Sequence, residues 1–162
     1  MSQASIAPDY AKPVVLFVEG ALEAAYALAE IGRKNWGSLF AVINVKGLDT
    51  NDRVKLPKAL AAFEQQRGQS QQHLGLWFDA ETDRGARWNQ LLAGLTKAGL
   101  PQPTAEGVLE SGSPVSTSIL FMPGTGTGCF ETALLEACIL KGHLACAESF
   151  LNCIPQLKDT EE

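Results

Sequence analysis

Three carboxylates, Asp79, Glu81 and Asp83, fall within five positions where the apolar run "LGLWF" gives way to "DAETD". A fourth, Glu19, ends the run "PVVLFV" and stands directly before Gly20. If the two runs are neighbouring strands, Glu19, Asp79 and Glu81 converge, and unpaired carboxylates that close repel one another strongly at intermediate dielectric. A divalent cation removes that cost. Asp79, Glu81 and Asp83 are the candidate ligands, and an oxygen-only donor set, with few histidines nearby and no cysteines, suits Mg²⁺ or Mn²⁺ rather than zinc. Each acid also has a plainer use. Asp79, Glu81 and Asp83 precede a helix expected to start near Arg84, where acids complement the helix dipole and Asp83 lies nearest the N-cap. Arg84 and Arg87 are available to neutralise the group as surface salt bridges. For Glu19 the alternative is helix initiation, with Gly20 permitting close approach of a ligand.

Elements in a definite order must position these side chains. "PVVLFVE" reads as a strand and "GALEAAYALAEIGRK" as a helix, with Leu22, Tyr26 and Ala29 at helical spacing. "LFAVINVKG" and "VKLPKALAAFEQQRG" repeat the strand and helix, the helix closed by Gly68. The third unit pairs "HLGLWFDA" with "RGARWNQLLAGLTKAGL", in which Trp88, Leu91, Leu92 and Leu95 share a face and Gly99 marks the end. After "PQPT", "EGVLESG" and "STSILFMPG" read as two more strands, and "GCFETALLEACILKG" and "HLACAESFLNCIPQL" as closing helices. Strands that are apolar throughout, each followed by a helix, predict an α/β fold: an open, mostly parallel sheet with helices on both faces, joined by right-handed crossovers. The expected organisation is a leader over 1–12, one α/β domain over 13–140, and a helical extension of that domain over 141–162.

The 162 residues suffice for one domain with a substantial core, and a net charge of −5 argues against a generally basic nucleic-acid surface. No apolar run reaches the roughly 18 residues that span a bilayer, and the first residues lack a signal-peptide pattern, so the expectation is a cytoplasmic protein without membrane contact. Cys129, Cys138, Cys146 and Cys153 lack the spacing of a zinc knuckle or redox pair and read as buried thiols. His73 and His143 belong to no ligand pattern, and Trp77 and Trp88 read as core. "MPGTGTGCFE" is neither a Walker loop nor GxGxxG, and is either a phosphate cradle of backbone N–H groups or a mobile surface loop.

"LFVEG" with Glu23 four residues after Glu19, "VINVKG" and "FDAETD" together resemble the toprim domain of primases, topoisomerases and several nucleases, over roughly residues 13 to 98. That family carries a Glu after its first strand and an Asp-x-Asp after its third. "ILFMPGTGTGCFETALLEA" further resembles a toprim-like family of small uncharacterised proteins with Pro, Gly and Glu at this point. The resemblance implies a three-layer toprim-like sheet, with Glu19 as general acid or base and Asp79 with Glu81 as the metal-binding pair. Lys46 would then be an added positive charge on the same edge, or otherwise a solvated loop lysine. Glu131 would be part of an extended site, or otherwise a first-turn acid on a helix dipole. Two departures stand out: the second acid of the pair is Glu81 rather than Asp, and Gly85 sits one residue later than the usual glycine. Tyr10 and Tyr26 lie in the leader and the first helix, so no fused tyrosine cleavage module is present to make this chain a topoisomerase.

The implied activity is Mg²⁺- or Mn²⁺-assisted phosphoryl transfer or phosphodiester hydrolysis. Its partners would be nucleic acid or a phosphorylated ligand, with a homo-oligomer open. The alternative is a non-catalytic binding or regulatory module that keeps the fold while the acids serve structure.

Overall fold

The computed structural model describes residues 9–45 and 55–134. Within them the order is β1 (Val14–Val18), α1 (Ala21–Arg33), β2 (Phe40–Asn44), α2 (Lys55–Gln66), β3 (Gln72–Asp79), α3 (Arg84–Ala98) and β4 (Val115–Met122). All strand pairings are parallel and the sheet runs β2-β1-β3-β4, so the protein is α/β. The step from β1 to β2 goes one way across the sheet, whereas those from β2 to β3 and from β3 to β4 go the other. Right-handed crossovers then set α1 on one face and α2 with α3 on the opposite face.

The face under α2 and α3 holds the main core. Along β3 burial alternates strictly, and Leu74, Leu76 and Phe78 point the same way as their β1 neighbours Val15 and Phe17. Leu56, Leu60 and Phe63 of α2 recur at helical spacing and meet Leu91 and Leu95 of α3 across these strands. Each such fully buried Leu or Phe contributes about 1.5–3 kcal/mol. Trp88 and Leu92 are partly buried against this core, and Trp88 stacks edge-on to Phe121. Tyr10 packs into it as well, with its ring edge-on to Phe17 and tilted against Phe63. Gly99 closes α3 in the left-handed region, φ 71°, where glycine carries no Cβ penalty.

On the other face, Trp77 of β3 forms an aromatic trio with Tyr26 of α1 and Phe130. The inward residues of α1 are Glu23, Ala27 and Ile31, while Leu22, Tyr26 and Ala29 are exposed. The helix is turned about its axis relative to the expected apolar stripe. Because "ALEAAYALAEI" is apolar almost all round, its hydrophobic pattern does not fix a phase. "EGVLESG" forms no strand: Glu110 makes a single antiparallel bridge to Thr117. No described helix is long and apolar enough to cross a membrane. Lys46, Cys138, Cys146, Cys153, His143 and the expected extension over 141–162 lie outside the described residues.

Candidate metal centre at the carboxyl edge of the sheet

Because β1 and β3 are adjacent and parallel, Val18 pairs with Trp77, and Glu19 and Asp79 leave the sheet at the same edge. In open parallel sheets this is where ligands gather. Glu19 is tied in place by the backbone, its Oε2 accepting the Asp79 N–H at 3.1 Å. Glu81 reaches the cluster through an unusual conformation, φ 54°, which costs a non-glycine residue about 1 kcal/mol or more. Two backbone hydrogen bonds of 2.7 Å with Gly128 hold it there, and Gly128 itself has φ 127°.

The carboxylate oxygens of Glu19, Asp79 and Glu81 lie within 4.8 Å of one another. At Mg²⁺–O bonds of about 2.1 Å, neighbouring octahedral ligands stand about 3.0 Å apart and opposite ones about 4.2 Å, so the three acids would draw closer together to share such an ion. Hard oxygen donors are the right chemistry for it. Asp83 is not in the cluster. It caps α3, its Oδ1 accepting the Ala86 N–H at 2.8 Å, the plainer of the two uses the sequence offered.

Asp79 is half-buried, and its Oδ1 accepts the Phe130 N–H at 2.9 Å, at the start of the helical residues 130–134. That hydrogen bond favours the carboxylate, but burial, then the charges of Glu23 and Glu19, and lastly that of Glu131, outweigh it. They push the Asp79 carboxyl up to about 7. Glu131 is thus close enough to act on the centre electrostatically while standing exposed in the first turn of its helix.

Two residues matter more than their sequence context suggested. Glu23 is only 5% exposed, and its carboxylate folds back over Gly20, into the space a Cβ there would fill. It makes no hydrogen bond or ion pair with the described residues, yet it is the strongest charge acting on Asp79. The i, i+4 spacing from Glu19 was visible, but the inward phase of α1 was not. Arg87 is 11% exposed rather than a surface residue, and its Nη2 pairs with Glu19 Oε1 and lies 3.5 Å from Glu81 Oε1. Arg84 turns away to Glu106 at 2.6 Å and donates to the carbonyls of Pro123, Gly124 and Gly126. The glycine-rich segment expected as a mobile loop or phosphate cradle is therefore anchored at both ends, by Arg84 and by the Glu81 and Gly128 bridge.

In comparisons with known proteins, no family model, no curated protein and no solved structure matches the chain.

Proposed function

We propose that this protein is a toprim-like, Mg²⁺- or Mn²⁺-dependent enzyme of phosphoryl transfer or phosphodiester hydrolysis, acting on nucleic acid or a phosphorylated ligand. The observation that carries the reading is the convergence of Glu19, Asp79 and Glu81 from two adjacent parallel strands, with the buried Glu23 adding its charge beside them. Asp79 and Glu81 would hold the ion and Glu19 would move a proton to or from the attacking or leaving oxygen. When bound, the ion supplies charge stabilisation on phosphate oxygens. The Asp79 backbone N–H orients Glu19, and the Phe130 N–H orients Asp79.

The second reading, a non-catalytic module, draws on Arg87 and Asp83, since an ion pair and a helix cap give two of the acids structural tasks. Titrating Mn²⁺ into the wild type and Asp79→Asn, alongside cleavage of single- and double-stranded oligonucleotides with Mg²⁺ or Mn²⁺, separates the two. The enzyme reading expects Mn²⁺ binding and cleavage that Asp79→Asn and Glu81→Gln abolish. A folded wild type that binds no Mn²⁺, alone or with inorganic phosphate, and cleaves nothing would leave only the module.

A further inference from the structure

Arg87 pairs with two of the three clustered acids. Its Nη2 contacts Glu19 Oε1 and lies 3.5 Å from Glu81 Oε1, two of the three carboxylates of the cluster, while Nε approaches the Asp79 carbonyl at 3.5 Å. A guanidinium spreads one positive charge over a planar fork, so a single residue bridges two carboxylates that would otherwise repel. Its reach is fixed by α3, whose cap at Asp83 and first residue at Arg84 are both tied down.

We propose that Arg87 is a built-in counter-cation whose charge on Glu19 and Glu81 opposes binding of the divalent ion at Asp79 and Glu81 and which, once displaced, is free to pair with an anionic oxygen of the substrate. This rests on the metal reading above. Carboxylates have lone pairs enough for two partners, but a guanidinium and a dication held on the same oxygens repel each other at close range. Binding of the ion therefore requires Arg87 to withdraw, and a guanidinium leaving a carboxylate matches phosphate with the same planar fork. The arrangement sets metal affinity low until substrate supplies a new partner for Arg87, so ion and phosphate should bind with positive coupling.

The test is calorimetric titration of Mn²⁺ into the full chain as wild type, Arg87→Gln and Arg87→Lys, each with and without inorganic phosphate. Arg87→Gln should bind Mn²⁺ about tenfold more tightly than wild type, and Arg87→Lys, which keeps charge but loses the fork, should fall between. Phosphate should tighten Mn²⁺ binding in the wild type and do so less in Arg87→Gln. If the wild type binds Mn²⁺ and Arg87→Gln binds equally or more weakly, the competition is wrong although the metal site stands. Failure of all folded forms to bind would sink the metal reading and this inference with it. Should Arg87→Gln not fold, Arg87→Lys decides: affinity no higher than wild type overturns the proposal.

Discussion

Arg84 and Arg87 lie three residues apart on one helix turn, and each pairs with a carboxylate, yet the two surroundings differ in charge balance. Around Arg84 the account closes. One acid, Glu106, meets the guanidinium at 2.6 Å, three loop carbonyls take further donors, and the Phe121 ring lies 5.2 Å from the charge. Glu106 also accepts the Phe121 N–H at 2.9 Å, so both partners are saturated. Around Arg87, among the described residues, the acids outnumber the cation. Glu19 and Glu81 touch it, Asp79 and the buried Glu23 stand beside them, and among the described residues no second cation contacts the group. A balanced pair of this kind is architecture. An excess of acids raises the proton affinity of its members, as it does for Asp79.

The comparison breaks most readily at Arg84. Replacing it by Ala leaves the half-buried Glu106 facing no cation and releases three carbonyls of the 123–126 loop. Removing one partner of such a pair costs about 2–3 kcal/mol, to be read as a lower urea midpoint. A loss under about 0.5 kcal/mol, the usual size for a surface substitution, would show that the Arg84 network is not the fastening described.

At the unbalanced site the expected sign is opposite. The Asp79 carboxyl is held near 7 in the folded protein, against an ordinary value of 3.8, by burial first and then by Glu23 and Glu19. The folded state thus binds a proton that the unfolded state has released, and stability falls as pH rises from about 4 through about 7. Asp79→Asn keeps the acceptor for the Phe130 N–H and removes the charge. Discounted for solvent screening at a half-exposed carboxylate, it should stabilise by about 1–2 kcal/mol at pH 8 and by nearly nothing at pH 4. Urea unfolding of both proteins at the two pH values measures it. A mutant equally destabilised at both would mean that the Asp79 hydrogen bond matters and its charge does not.

What the sequence disclosed follows the same division. Continuous apolar runs and strand-helix order were enough for the parallel α/β sheet: "LGLWF" is apolar on both faces, and in β3 Leu74, Leu76 and Phe78 serve one face while Trp77 meets Tyr26 on the other. Adjacency of β1 and β3, which brings Glu19 to Asp79, was a conditional that the sheet order satisfies. Glu23 was hidden because a glutamate in a helix that is otherwise mostly apolar ordinarily faces water, whereas here it points inward with Ala27 and Ile31. Arg87 was hidden because a charged residue in a first helical turn ordinarily faces water. Only the close approach of α3 to the strand edge draws it inward. The strand read into "EGVLESG" failed because that segment is held by Glu106 and by the bridge at Glu110 rather than by a ladder.

Asp83 gives the smallest and sharpest contrast, since the sequence offered it as a metal ligand beside Asp79 and Glu81 and the structure uses it as the N-cap of α3. Loss of an aspartate cap costs about 1 kcal/mol, because the Ala86 N–H loses its acceptor and water replaces it at lower gain. Asp83→Ala should therefore lower the urea midpoint modestly and leave the Mn²⁺ dissociation constant within about twofold of wild type, the scale of a few tenths of a kcal/mol. Asp83→Asn, an equally good cap, should restore the stability and change the affinity no further. If instead both variants weakened Mn²⁺ binding tenfold, Asp83 would belong to the ion's ligand set. A fifth acid, after Glu19, Asp79, Glu81 and Glu23, would then join the surroundings of Arg87 and set them further apart from those of Arg84.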